Sequence, residues 1–293
     1  MVLEYELLGK KDLEAASMPK SPFSDKRGRG SALIIAGSRD FHGAPVLAAL
    51  AAMRVGAGYV KLYVPRSVLA PVRSLSPNII VGALGTGAIA CNRRVLNEML
   101  KFDALAIGMG IGRSAMAMAS AGRIIGAGMR AAKTTVVDAD AIAALGKLSS
   151  GKRLGGSIIA TPHDGEFLRL YGARPAENDL DDRIEKAVAC AKRLGVTLVL
   201  KGHYTVVTDG RRTRVNVAGS SALATMGTGD VLSGIICGYA ASGAESFSAA
   251  CAGVYLHAKI GDALAAKKGN HIIASDVVDA IPSAIKEFDK IIQ

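Results

Sequence analysis

A three-layer α/β fold, with a mainly parallel sheet between two layers of helices, is what the sequence predicts. Three observations point to it. Short apolar runs alternate with segments of helical length along most of the chain. The apolar mass comes from Ala, Val, Ile and Leu, with 4% aromatic residues and no Trp, which suits strands buried on both faces under Ala-rich helices. At 293 residues the chain is long enough for a large core in one domain.

Residues 1–20 read as a polar, partly helical lead-in ending near Pro19, and SPFSDKRGRG after it as a basic loop. The run Ala32-Leu33-Ile34-Ile35-Ala36 is the first strand of the unit that follows, closed by Gly37-Ser38. Residues 44–55 carry an Ala-rich helical pattern, and 59–64 (YVKLYV) form a second strand. The pattern then repeats: residues 104–107 run into the glycines 108–112, and 134–137 close on Asp138-Ala139-Asp140. Strand 157–160 closes on Thr161-Pro162-His163, and strand 196–200 on Lys201-Gly202. Such alternation implies right-handed crossovers between parallel strands. Residues 206–210 and 213–217 read as a hairpin at a sheet edge, with Asp209-Gly210 as its turn. From Val231 onward the chain is helical, and no linker or internal repeat divides it, so a single domain over 1–293 is expected.

The bulk properties exclude several classes. A net charge of +11 makes anionic partners plausible, but the basic residues come in twos and threes without interleaved aromatics, which argues against nucleic acid. Cys91, Cys190, Cys237 and Cys251 lie far apart and make no CxxC pair, as expected of free thiols in a reducing compartment. The N-terminus has early acids and no apolar core of a signal peptide, and the longest uncharged run, 74–92, is broken by Pro77, Asn78 and several glycines. No membrane partner and a cytoplasmic location are the expectation. Paired Cys and His for zinc are missing, and no protein metal site is expected.

In sheets of this kind ligands bind beyond the carboxyl ends of the strands. Gly37-Ser38, glycines 108–112, Asp138, Asp140, His163 and Lys201 should therefore converge on one crevice. The stretch ALATMGTGDVLSGIICGYA, 222–240, should join them, because its poor helix formers Gly227-Thr228-Gly229-Asp230 run straight into an apolar helix face. A helix N-terminus has unpaired amides and a positive dipole end, and glycines let a phosphate reach it. Thr228 is placed to cap the helix or to donate to the same anion. Asp230 stands in the first turn, where the dipole is expected to keep it ionised, ready to take a proton from a hydroxyl attacking phosphorus. Local physics leaves a second reading equally open, in which Asp230 is a favourable first-turn acid and the glycines a tight turn.

Further segments bear on that choice: LIIAGSRDFHGA (33–44), VGAGY (55–59), IGMGIG (107–112), VVDADA (136–141), ATPHDGE (160–166), and LVLKG (198–202) with Thr205. Leu256-His257, Gly261-Asp262 and IIASDVVDAIP (272–282) complete the set. With the 222–234 stretch, these resemble the ribokinase-like superfamily and, more closely, its ADP/ATP-dependent NAD(P)H-hydrate dehydratases. Met109 stands where that family usually has proline, and the chain is expected to lack the N-terminal epimerase domain that many relatives carry.

The resemblance implies a ribokinase-like fold and repair of nicotinamide cofactors hydrated at C6. In that chemistry ADP or ATP phosphorylates the C6 hydroxyl and loss of phosphate restores NADH or NADPH, with AMP formed from ADP. It implies Asp230 as base; Gly227, Thr228 and Gly229 on the phosphate; and Lys201, Gly202, His203, Tyr204 and Thr205 on the nucleotide. It implies Ala44, Gly110, Gly112, His163 and Asp230 on the hydrated dinucleotide. Mg²⁺ is expected to accompany the nucleotide, and assembly as a homo-oligomer, with a tetramer among the forms, is expected too. Asp138 and Asp140 read either as turn formers or as groups that orient Mg²⁺-bound water or the neighbouring loop, and His257 as a packed histidine. One alternative keeps the fold and makes the chain a hydroxyethylthiazole or hydroxymethylpyrimidine kinase. Another makes it a non-catalytic nucleotide sensor or a nucleic-acid-binding protein.

Overall fold

Neighbouring residues of a strand point to opposite faces of its sheet, so a strand covered on both sides must be apolar throughout. The strand β2 (Ser31–Ile35) meets that condition: all five residues are buried, Ala32 and Ile34 in one core, Leu33 and Ile35 in another. The computed structural model of the chain describes residues 4–19, 21, 23–149, 153–155 and 157–290. Parts of the expected lead-in and basic loop, at 1–3, 20 and 22, lie outside these residues.

In chain order the elements before β2 are β1 (Glu6–Leu7) and α1 (Lys10–Ala16). After β2 come α2 (Ala44–Arg54), β3 (Tyr59–Val64), α3 (Leu69–Ser74), β4 (Ile80–Ala83), α4 (Arg93–Met99) and β5 (Ala104–Ile107). Then follow α5 (Ala115–Arg130), β6 (Thr134–Val137), α6 (Ala141–Ser149), β7 (Ile158–Ala160), α7 (Asp164–Tyr171), α8 (Leu180–Leu194) and β8 (Thr197–Leu200). The chain ends with β9 (Thr205–Thr208), β10 (Thr213–Asn216), α9 (Thr228–Ala241), α10 (Ser246–Lys268) and α11 (Ala274–Ile285).

The strands form one sheet in the order β1-β10-β9-β8-β7-β6-β5-β2-β3-β4. Only β9 runs antiparallel to its neighbours, β8 and β10. Apolar residues of α1, α2, α9, α10 and α11 pack on one face and those of α4 to α8 on the other, so the expected three layers are present. From β2 the chain steps outward to β3 and β4, then returns to β5 on the other side of β2. That reversal opens a crevice above the carboxyl ends of β2 and β5.

Two elements differ from expectation. The β9–β10 hairpin is not at the sheet edge, because β1 pairs parallel with β10 through Glu6 and Leu7. Arg214 on β10 ties this strand down, 3.1 Å from Glu6 and 3.5 Å from Asp12. Two residues flanked by charges carry no alternation from which to read a strand. The other sheet edge is β4, inside the glycine-rich 74–92 stretch, where no strand is expected from sequence. Among the described residues no helix is long and apolar enough to cross a membrane.

The packing that places the site is between α2 and α9. A Cβ on Gly234 would fall well inside contact distance of the Ala48 carbonyl oxygen, and one on Gly238 would lie 2.7 Å from the Ala52 oxygen. The two glycines thus let α9 lie directly on the α2 backbone, which brings the start of α2 beside the start of α9. Gly234→Ala should therefore cost about 1–3 kcal/mol in spite of alanine's better helix propensity, because a backbone carbonyl has to move. Gly122→Ala on α5, where an added Cβ meets nothing within 4 Å, should instead stabilise by up to about 1 kcal/mol. Thermal unfolding of the two variants checks this; equal midpoints would contradict the close-packing account.

Candidate active site

The loops that close the central strands are tied to one another. The Gly37 amide, after β2, donates to the Met109 carbonyl (2.8 Å), after β5. Gly108 abuts the Asp138 carbonyl, after β6, so closely that a Cβ has no room. Gly110 rests on Phe41, whose Cβ would be 2.5 Å from a side chain at 110, whereas Gly112 faces open space. Asp140 holds this loop: its carboxylate accepts from the Gly112 amide (3.0 Å) and the Arg113 Nε (2.9 Å). Of the two readings of Asp140 as a site residue, orientation of the neighbouring loop is the one its contacts serve. Ala44 is the first residue of α2, half-buried behind Gly43.

Across the crevice α9 begins at Thr228, with Gly227 as its N-cap at φ 92°. This left-handed conformation suits glycine, and a side chain there would also strike Leu47 and Ala274. Thr228 does not offer its hydroxyl to the crevice. Its Oγ1 lies 2.7 Å from the Leu223 carbonyl and 2.8 Å from that of Thr225, and donates back into the preceding loop. The amides of Gly229 and Asp230 have no hydrogen-bond partner among the described residues and are available to an anion.

Beneath that turn lies a set of charges. Asp138, only 2% exposed at the end of β6, accepts from Lys201 Nζ (2.9 Å) and Thr161 Oγ1 (2.7 Å). Burial would raise its pKa, but the Lys201 charge and the Thr161 hydroxyl hold the carboxyl below its ordinary value. Burial would lower the Lys201 pKa, yet Asp138, Glu166 and Asp230 together keep the ammonium above its usual range. The same Nζ sits 3.7 Å from where a Gly229 Cβ would be, so the lysine reaches from β8 to the α9 turn.

Asp230 differs from expectation. The helix dipole does not leave it a strongly ionised acid: burial first, then the like charge of Asp138, push its carboxyl up to about 7, with Lys201 offsetting part of the rise. A carboxyl of that strength is half-ionised near neutrality and suits a general base.

The segment Lys201–Thr205 lies beside these groups. The Lys201 amide donates to the Pro162 carbonyl (2.9 Å), and a β-bridge links Lys201 to His163. Gly202 and Thr205 close a short turn, with Thr205 Oγ1 donating to the Gly202 carbonyl at 3.2 Å. His203 and Tyr204 stack edge-on, 4.5 Å between ring centres, at a cavity of about 520 Å³ also bounded by Asp164, Arg174 and Arg183. A cavity of equal size, lined by Arg29, Met53 and Arg54, opens at the amino ends of β2 and β3 and contains none of the expected site residues. His163 caps α7: its Nδ1 accepts from the Gly165 amide (3.0 Å), while Glu166 accepts from the His163 amide (3.0 Å). Its side chain is more than half exposed, with Nε2 3.4 Å from Glu166.

One residue at this site, Arg183, escapes a plain sequence reading, and a second, His257, has a neighbour that the sequence does not show. Arg183, buried on α8, donates to the Lys201 carbonyl (2.6 Å) and pairs with Asp164 (2.8 Å), and its guanidinium fills the space beside Gly202. The available signal is a cation on the helix stripe that continues with Ala187, Cys190 and Leu194. His257 on α10 faces the Thr228 carbonyl, and burial pushes its imidazole down to about 4, so it is neutral here. It is a packed histidine, as expected, but one packed against the α9 turn.

Among the described residues no group of three or more His, Cys, Asp or Glu side chains is arranged to hold a metal ion. Asp138 is committed to Lys201 and Thr161, and Glu166 to the α7 cap, so neither is free to ligate Mg²⁺.

The fold and this arrangement of strand ends are those of a ribokinase-like protein. A ribokinase-like superfamily protein from Enterococcus faecalis V583 superposes with a TM-score of 0.86 at 25% identity, over 99% of both chains. Within that class the chain belongs to the NAD(P)H-hydrate dehydratase family, which matches residues 32–283. It is 32% identical to the ADP-dependent (S)-NAD(P)H-hydrate dehydratase of Cenarchaeum symbiosum, over 97% of this chain and 98% of the relative. The ADP/ATP-dependent NAD(P)H-hydrate dehydratase of Bacillus subtilis, co-crystallised with ATP and Mg²⁺, has a TM-score of 0.81 at 26% identity over 98% of this chain and all of that one. The chain spans about half the length of the bifunctional NAD(P)H-hydrate repair enzymes that it also matches.

The raised Asp230 carboxyl has a consequence for stability. A group whose pKa is higher in the folded state favours folding at low pH and opposes it as pH rises toward the folded value. Asp230→Asn should therefore be more stable than the parent at pH 8, by up to about 4 kcal/mol, with the difference gone below about pH 4. Denaturant melts at the two pH values check it; a variant with no advantage at pH 8 would show that the carboxyl is not strained.

Proposed function

We propose that the chain is a nucleotide-dependent dehydratase that restores NADH and NADPH from their C6-hydrated forms. The observation that carries this reading is the start of α9, where a carboxyl held near neutrality stands beside two free amides and an ammonium. Family membership supports it, as do the activities for which the C. symbiosum and B. subtilis relatives are named.

In this reaction the C6 hydroxyl of the hydrate attacks the terminal phosphorus of ADP or ATP. Asp230 takes the hydroxyl proton as the O–P bond forms, and AMP or ADP departs. The Gly229 and Asp230 amides and Lys201 receive the negative phosphoryl oxygens, where fixed donors stabilise the charge that develops. The C6–O bond of the phosphate ester then breaks, with both electrons going to phosphate. The ring-nitrogen lone pair drives this step, and loss of a C5 proton restores the dihydropyridine. The net change is hydrate plus ADP to NAD(P)H, AMP and phosphate. Mg²⁺ would enter bound to the nucleotide, because no group of three or more His, Cys, Asp or Glu side chains among the described residues is arranged to hold it alone.

Ala44, Gly110, Gly112 and His163 would face the dinucleotide on the β2, β5 and β7 side. Lys201 to Thr205 would face the donor nucleotide on the β8 side, which brings acceptor and donor together at Asp230. Gly227 serves by conformation and Thr228 by anchoring the loop, so the phosphate contacts proposed here come from the backbone that follows them.

Incubation of the protein with NADH hydrate and ADP or ATP should regenerate the near-ultraviolet absorbance of NADH. Asp230→Asn should lower the turnover about 10²–10⁴-fold while nucleotide binding survives. Phosphorylation of a thiazole or pyrimidine alcohol with no action on the hydrate would overturn the substrate assignment, and near-normal turnover by Asp230→Asn would overturn the mechanism.

A further inference from the structure

Two carboxylates share one lysine beneath the α9 turn, and they do not share it equally. Asp138 receives both Lys201 Nζ (2.9 Å) and Thr161 Oγ1 (2.7 Å), and only 2% of it is exposed. Asp230 has no such partners: no hydrogen bond to its carboxyl is formed among the described residues, and it feels Lys201 and Asp138 through space. We propose that Asp138 is a positioning residue for Asp230: it claims the Lys201 ammonium for itself, and so makes the second carboxyl the one that takes up a proton. The proposal rests on the reading of Asp230 as the base.

The geometry makes this division directional. Lys201 emerges from β8, its backbone held by Pro162 and by Arg183, and its ammonium crosses beneath the α9 turn to hydrogen-bond Asp138 on β6. With the Thr161 hydroxyl on the same oxygen, Asp138 is the better-compensated acid of the two, although the more deeply buried, and stays charged. Its charge then faces Asp230 from below and opposes ionisation there. Two like charges near a single cation cannot both be fully compensated, so their proton affinities separate, as they do in other paired carboxylates that divide acid and base roles.

The other groups packed around the turn do not take over this task. Glu166 on α7 acts on Lys201 but is hydrogen-bonded to the His163 amide, with the His163 ring 3.4 Å away. His257 on α10 is neutral. At the start of α11, Asp276 is paired with Lys268 at 2.6 Å. Among the described residues, Asp138 and Lys201 are the charges that act on Asp230.

The pH dependence of kcat/KM for NADH hydrate with ADP tests the proposal, since its acid limb reports the base of the free enzyme. Asp138→Asn should move that limb down by about one pH unit or more, because the like charge is gone. Lys201→Gln should move it up, because two carboxylates then remain without a cation. Asp138→Glu, which keeps the charge, should leave the limb near its original place whatever the loss of rate. Opposite shifts in the first two variants support the assignment. Limbs that stay fixed while activity falls equally at every pH overturn it and reduce Asp138 to a structural strut. Should Asp138→Asn fail to fold, Lys201→Gln and Asp138→Glu decide alone: an unmoved limb in the first, or a limb displaced downward in the second, overturns the proposal. Asp230→Asn separates the two levels. If that variant keeps the acid limb, the limb is not Asp230's and the function reading fails first.

Discussion

The contact between Lys201 and Asp138 joins the ends of two strands separated by one other and sets the electrostatics of the helix that lies over them. Both groups are largely buried, and a buried charge is costly unless paired, so the contact constrains where β6, β7 and β8 end relative to one another. Thr161, at the end of the intervening β7, completes it from the middle strand. The α9 turn is laid over this pair by the packing of Gly234 and Gly238 on α2. A carboxyl delivered there meets low polarity and a like charge at once, which is why Asp230 is a weak acid in a position where a helix dipole alone would make it a strong one.

This arrangement stores some instability at the site. An acid raised to about 7 is a cost to folding at any pH where it must ionise, and it persists because the surrounding frame is rigid. Ala139, between Asp138 and Asp140, adds a small backbone strain of its own at φ 50°. Both features are local to the crevice. The two apolar cores on either side of the sheet carry the stability that tolerates them.

Much of the fold was legible because buried parallel strands are written as uninterrupted apolar runs. The strand at Tyr59–Val64 and those at Ala104–Ile107 and Thr134–Val137 appear in the structure with the boundaries read from the sequence. The edge strands were not legible, because β1 is two residues among charges and β4 lies in a glycine-rich stretch with no alternation. At the candidate site, the strand closers of β2, β5, β6 and β8 are linked to one another, and the GTGD turn begins α9. What the sequence does not reveal is pairing. Nothing in VVDADA or LVLKG says that Asp138 and Lys201 meet, that Asp140 binds the Gly112 amide instead, or that Thr228 turns its hydroxyl back into its own loop. Arg183 was visible only as a charge on an apolar stripe, and its role as a prop beneath Gly202 needs the third dimension.

The account stands most directly on the proton affinity of one side chain in the free protein. Titration of the Asp230 carboxyl by carbon-13 NMR, with the resonance assigned by its disappearance in Asp230→Asn, measures it without recourse to catalysis. A midpoint near 7 is the expected result. A midpoint at or below the ordinary carboxylate value of 3.8 would mean that the turn, and not the pair beneath it, controls the charge, and would contradict the account.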